Sequence, residues 1–274
     1  MAYPQWIEVD GITKKPIECN FEDRGDQEVD AVVLHYTAGA SALSSWKWFN
    51  TPKSSASAHF IVDRDGSILQ CVPLDMKAYH VGRDANLAGS KSANSKSIGI
   101  EISNFGLLVT YKKQLCTIDD KEFIPYDSAK YGEPVYGAIA LGDPTPQHIL
   151  DGEQPAAFFE GYWEPYKPAQ ILSVHKLVRL LREGIEEIAS SKILGHSDIA
   201  LPLGRKQDPG PLWDWFGMFA LLGIPYDVGL KNHKSVSFIG CEAVTNVRSA
   251  MLNSPDLLAL TENKTSELPP KSDT

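Results

Sequence analysis

Seven histidines stand at positions 35, 59, 80, 148, 175, 196 and 233. Histidine more often fills a hydrogen-bonded structural place than a chemical one, so position has to sort them. His35 closes the run VVLHY and opens the small-residue turn Thr37, Ala38, Gly39; His196 closes ILGH and leads into a loop rich in Pro and Gly. Each ends a predicted strand, where a rigid scaffold presents a side chain at an edge. Asp208 lies in GRKQDPGP, with Pro209, Gly210 and Pro211 fixing the backbone after it. Two imidazoles and one carboxylate are a ligand set of catalytic zinc, with a fourth position left for water. The plain alternatives are satisfied core histidines and an acid balancing a helix dipole; the three lie far apart in the chain, and spacing alone leaves both readings open. His175 falls on a predicted helix, and His148 and His233 fall in weakly patterned stretches, so these read as structural.

The elements that must position those residues follow from periodicity. Val32 to Tyr36 is a short β-branched, apolar run that reads as a buried strand. Ser41 caps a predicted helix over ALSSWKWFN, with Leu43, Trp46 and Phe49 at near-helical spacing. SAHFIVDRDGSILQCVP reads as a hairpin turning at Asp65-Gly66, because that dipeptide accepts positive φ. SIGIEIS, residues 97 to 103, alternates as a further strand and carries Glu101. From Phe105 to about Tyr166 the pattern breaks into short runs interrupted by Pro and Gly, as a long insertion would. Order returns in KPAQILSVHKLVRLLREGIEEIA, where Ile171, Val174, Leu177, Val178, Leu181 and Ile185 form a helical stripe. A short strand ending at His196, the loop to Asp208, and a last helix from near Pro211 complete the pattern.

The strings VVLHYTAG, SAHFIVDRDG, SIGIEISN, ILGHSDIA and GRKQDPGP resemble, in order and context, those of the amidase-2 type N-acetylmuramoyl-L-alanine amidases, over roughly Ala31 to Gly223. That group also contains peptidoglycan recognition proteins and amidase-type phage lysozymes. The resemblance implies an α/β fold, a mixed central sheet flanked by helices with a zinc site at one edge of the sheet. It implies that His35, His196 and Asp208 bind Zn2+, that Glu101 activates the attacking water, and that Lys206 steadies the tetrahedral oxyanion. His59 and His80 sit where related proteins line the substrate groove, and either is open to a structural role. Some relatives carry a tyrosine just before the histidine of SAHF; Ala58 stands there instead, which favours the branch that uses a glutamate. The branch that recycles anhydro-muropeptides is the most similar, although the insertion is long for it and the loop after His196 holds an extra Leu-Pro-Leu segment. A phage lysin or delivered toxin acting on intact wall, and a non-catalytic peptidoglycan-binding module, are the competing readings. The module is disfavoured because such relatives lack a metal ligand.

Composition limits the partners. The 274 residues are 43% hydrophobic, enough for one sizeable core with insertions, and carry a formal net charge of -9. Lys and Arg are scattered, so a nucleic-acid partner, which needs clustered cations, is not expected. Cys19, Cys71, Cys116 and Cys241 form no CxxC pair, which argues against a zinc ribbon or a disulfide framework. No stretch approaches the ~20 apolar residues of a spanning helix, and the N-terminus lacks a signal-peptide pattern. The expectation is therefore a protein acting on peptidoglycan or muropeptide, without a membrane partner, in the cytoplasm or released without a signal peptide. Residues 1–226 are expected to form the catalytic domain, with its insertion at about 105–166. Residues 227–274 are expected to form an extension of unknown role, in which Val244 to Ser249 faintly resembles the opening of a bacterial SH3-type wall-binding domain and the last dozen residues form a frayed tail.

Overall fold

A run as apolar as AVVLHY is stable only when covered on both faces, and in the computed structural model it is the fifth strand of a six-stranded mixed sheet. The structure describes residues 5–82, 85–87, 93–119, 122–142, 149 and 154–252. The first part of the chain comprises β1 (Ile12–Lys14), β2 (Phe21–Asp23), β3 (Ala31–Tyr36), α1 (Ala42–Phe49), β4 (Phe60–Val62), β5 (Ile68–Gln70), β6 (Met76–Ala78), α2 (Ala93–Lys96) and β7 (Ser97–Ile102). Then come β8 (Val109–Tyr111), β9 (Gln114–Asp119), β10 (Glu122–Pro125), α3 (Ser128–Tyr131), β11 (Val135–Leu141) and β12 (Ala157–Trp163). The chain continues through α4 (Pro168–Gly184), β13 (Ile193–Gly195), α5 (His196–Ile199), α6 (Trp215–Leu222), α7 (Tyr226–Leu230), β14 (Ser235–Ile239) and α8 (Cys241–Leu252).

The central sheet has the order β1-β5-β4-β7-β3-β13, with β4, β7, β3 and β13 mutually parallel and the β4–β5 hairpin antiparallel. Period-two alternation divides its two faces. Val32 and Leu34 of β3 and Ile98, Ile100 and Ile102 of β7 pack with Val174, Leu177, Val178 and Leu181 of α4 and with Met218 and Phe219 of α6. Each such buried aliphatic side chain contributes about 1.5–3 kcal/mol. The other face holds Ala31 and Val33 under Val81, Leu87, Leu194 and Ile199, and alternation puts His35 and Glu101 on it too. The register sets those two side by side, His35 opposite Glu101.

Several boundaries differ from those the pattern predicts. The long helix stops at Gly184, where helix propensity is poor, and the extended backbone of Ile185 turns the chain so that Ile185 and Ile188 still reach the core. α6 begins at Trp215 rather than near Pro211, because the Asp214 carboxylate caps it by accepting from the Gly217 N–H at 2.8 Å. The insertion folds as two small antiparallel sheets, β10-β9-β8 and β12-β11-β14. Its third member there, β14, comes from the segment after residue 226, so that segment is built onto the insertion by a full ladder with β11 rather than appended to the fold. Val244 to Ser249 lies inside α8, so it does not open a β-rich SH3-type module. The tail and His148 lie outside the described residues. No helix among the described residues is long and apolar enough to cross a membrane.

Candidate active site

Three elements ending at one edge of the sheet bring the ligand candidates together. β3 delivers His35, the first residue of α5 is His196, and the Ser197 N–H donates to the Asp208 carbonyl at 3.0 Å, tying the loop to that helix start. His35 Nδ1, His196 Nδ1 and Asp208 Oδ2 form a triangle with edges of 3.1, 2.9 and 3.1 Å, and all three residues are buried. Burial alone would raise the Asp208 carboxyl, but His196 and His35 outweigh it and hold the group well below the usual carboxylate range. Burial pushes His35 down to about 4 against the opposing hydrogen bond of Asp208, so its imidazole is neutral at pH 7.

The triangle suits a metal. Ligands 2.0–2.2 Å from a tetrahedral zinc stand about 3.4 Å from one another, close to the edges seen. Two imidazole nitrogens and a carboxylate oxygen repel at this range unless a proton or a cation lies between them. His196 Nε2 is buried and has no protein partner among the described residues, so the contacts of that ring within the protein are those of Nδ1 in the triangle.

Glu101 stands opposite His35 on β7, and its Oε2 is sealed from solvent with no hydrogen-bond partner among the described residues. Desolvation, reinforced by the Asp208 charge and relieved in part by Lys206, raises its carboxyl to about 8. Such a group exchanges a proton near neutral pH. Lys206 is exposed and lines a groove of about 750 Å³ with His80, His196, Lys77, Tyr79 and Arg205. A second cleft, of about 490 Å³, starts at Thr37 and runs between α1 and the insertion, with Trp48, Ile118 and Ile124 exposed along it.

The two further histidines differ from each other in placement. His59 is fully buried: the Gly99 N–H donates to its Nδ1 at 3.0 Å and its Nε2 donates to the Met76 carbonyl at 3.1 Å, which leaves no edge for a substrate. His80 borders the groove, yet both ring nitrogens are engaged inside the protein, Nδ1 with His35 Nε2 and Nε2 with Ser97 Oγ, each at 3.1 Å. Burial and the neighbouring histidines push it well below the usual histidine range.

Some supporting residues escape a reading of the sequence. Tyr36 Oη accepts from Gln207 Nε2 at 3.1 Å, bracing the loop beside Asp208; nothing marks that pair except adjacency to the ligands. Asp198 reaches back to the Gly195 N–H at 2.8 Å and also accepts from the Lys234 N–H and the Ser235 hydroxyl, with His233 Nδ1 at 3.2 Å. The N-terminal turn that carries His196 is thus pinned from the C-terminal segment, and no local pattern announces it.

Comparisons with known proteins identify the family. The Amidase_2 family model, described as N-acetylmuramoyl-L-alanine amidase, matches residues 25–211. The 1,6-anhydro-N-acetylmuramyl-L-alanine amidase AmpD of Salmonella typhimurium strain LT2 is 48% identical over 181 residues, 66% of this chain and 62% of that protein. AmpD of Escherichia coli strain K12 is 28% identical over 159 residues, 58% of this chain and 54% of that protein. The chain thus spans less than two thirds of the length of these relatives. Among solved structures, the amidase AmiD from E. coli, in complex with anhydro-N-acetylmuramic acid-L-Ala-D-gamma-Glu-L-Lys, aligns over 72% of this chain and 58% of that chain, at 24% identity and a TM-score of 0.48. With the family model covering more than half of its length, this chain belongs to the amidase-2 family of N-acetylmuramoyl-L-alanine amidases.

Proposed function

We propose that the protein is a zinc-dependent hydrolase of the amide bond between N-acetylmuramic acid and L-alanine, acting on peptidoglycan or muropeptides, with soluble 1,6-anhydro-muropeptide preferred. The observation that carries the metal reading is the convergence of His35 Nδ1, His196 Nδ1 and Asp208 Oδ2 within 4.8 Å of one another. Family membership and the AmpD relatives support the bond and the preferred substrate.

His35, His196 and Asp208 would hold a zinc ion, which when bound would supply a Lewis acid for the scissile carbonyl and lower the pKa of water. Glu101 is the general base: its carboxylate takes a proton as water oxygen bonds to the carbonyl carbon. The same carboxyl then returns that proton to the alanine nitrogen as the C–N bond breaks, leaving a carboxylate on the muramyl side and a free amine on the peptide. Lys206, at the groove wall, offsets charge that grows on the carbonyl oxygen. The groove around Lys77, Arg205 and Lys206 suits the carboxylates of a stem peptide. Residues 1–226 are the catalytic unit in this reading, braced by the C-terminal segment.

The experiment is a comparison of hydrolysis of purified 1,6-anhydro-muropeptide and of intact sacculi by zinc-loaded protein and by Glu101→Gln. Release of L-alanine-led peptide from the soluble fragment, abolished by the substitution with zinc retained, is expected. Equal or faster cleavage of sacculi overturns the substrate preference, and undiminished activity of Glu101→Gln overturns the role of the base.

A further inference from the structure

Ser97, Gly99 and Glu101 alternate onto one face of β7, beside Ala31, Val33 and His35 of β3. A Cβ at Gly99 would stand 2.4 Å from the His80 ring, so the imidazole lies directly on this bare backbone position. Ser97 is at one end of the ring and His35 at the other.

The protons along this row can be counted. Ser97 Oγ is 2.6 Å from the Ala93 carbonyl, and because a carbonyl only accepts, the one hydroxyl proton is committed there. Toward His80 Nε2, at 3.1 Å, Ser97 can then only accept, so that nitrogen carries the His80 proton. A neutral imidazole has a single N–H. His80 Nδ1 is therefore bare and accepts from His35 Nε2 at 3.1 Å. The His35 proton is spent on Nε2, and His35 Nδ1 keeps its lone pair pointed at Asp208 Oδ2 and His196 Nδ1.

We propose that His80 and Ser97 are positioning residues of the metal site: with the Ala93 carbonyl as terminus, they hold His35 in the tautomer whose Nδ1 is free for the ion. This rests on the zinc reading given above. Without the hydroxyl, nothing beyond His80 dictates which of its nitrogens is protonated. His35 can then place its proton on Nδ1, toward Asp208, where it competes with the metal for the same lone pair. Partners of this kind are worth about 10–100-fold in metal affinity.

Two measurements test the proposal. In metal-free protein labelled with 15N-histidine, NMR shifts should report His35 and His80 as Nε2–H tautomers, and Ser97→Ala should mix them. Zinc titrations against a competing chelator should show Ser97→Ala and His80→Leu weakened about 10–100-fold. Ser97→Thr, which keeps a hydroxyl, and His80→Gln, whose amide oxygen still accepts from His35, should stay near wild type. An Nδ1–H tautomer of His35 in wild type, unchanged zinc affinity in Ser97→Ala, or equal losses in His80→Gln and His80→Leu overturns the proposal. Failure of wild-type protein to bind zinc sinks the metal reading instead, and the tautomer measurement on metal-free protein separates the two outcomes.

Discussion

The central sheet and the inserted sheets solve opposite problems. β3 and β7 are covered on both faces, and their ends meet at the one edge where His35, Glu101, His196 and Asp208 gather. β8 to β10 are short antiparallel strands with Tyr111, Ile118 and Ile124 exposed, and Glu164, just after β12, joins the inserted region to the β4–β5 turn through a buried ion pair with Arg64. In that pair the Arg64 guanidinium bonds both oxygens of the fully buried Glu164, at 2.7 and 2.9 Å, and lies over the rings of Phe105 and Tyr131 at 4.9 and 4.6 Å. Chemistry is placed on the over-determined region, and shape around it is added by the loosely determined one. Substitutions should therefore divide into losses of chemistry and losses of anchorage.

The largest effect is expected at the metal triangle: Asp208→Ala should lose zinc on dialysis and all hydrolysis, with the helix-side core still folded by circular dichroism. Retention of stoichiometric zinc would break the contrast. Glu164→Ala should cost about 3–5 kcal/mol in urea unfolding, because it strands a desolvated Arg64, while the kcat of the folded protein is maintained. A fall in kcat with stability intact would mean that the insertion belongs to the chemistry. A third test uses pH on the metal-free protein. The Glu101 carboxyl is raised from 4.5 to about 8 by folding, so its contribution is fully present below pH 4.5 and is lost as pH rises through about 8. Wild type should lose stability across that window and Glu101→Gln should lose less; parallel curves would show that the carboxyl is not desolvated. The smallest effect is expected at the stacked Tyr111–Phe123 pair, with centroids 4.2 Å apart, where Phe123→Ala should cost about 0.5–1.5 kcal/mol beyond lost burial and leave zinc affinity untouched.

Legibility in the sequence follows the same division. β3, β7, the Asp65-Gly66 hairpin and most of α4 are readable because period and burial agree within each segment. Family strings then single out Glu101 and Lys206, which spacing alone does not. The sheet that contains β11 is opaque because a partner is remote: β11 is flanked by β14, about a hundred residues later, and Arg64 finds Glu164 at a similar distance. The internal bonds of His80, a residue that also borders the groove, are hidden for a related reason. Its role depends on Gly99 and Ser97 lying under the ring, a juxtaposition created by alternation on β7 and not visible in the string AYHVG.

The bonds from Lys234 and Ser235 to Asp198 also set an order of events during synthesis. A chain emerging from the ribosome exposes His35 early and His196 and Asp208 much later, and the residues that pin the turn bearing His196 come later still. Most residues of the helix-covered face are present once α4 and α6 have been made, whereas the bonds that pin the turn bearing His196 need Lys234 and Ser235. A nascent chain halted just after α6 therefore lacks the bonds that pin the turn bearing His196.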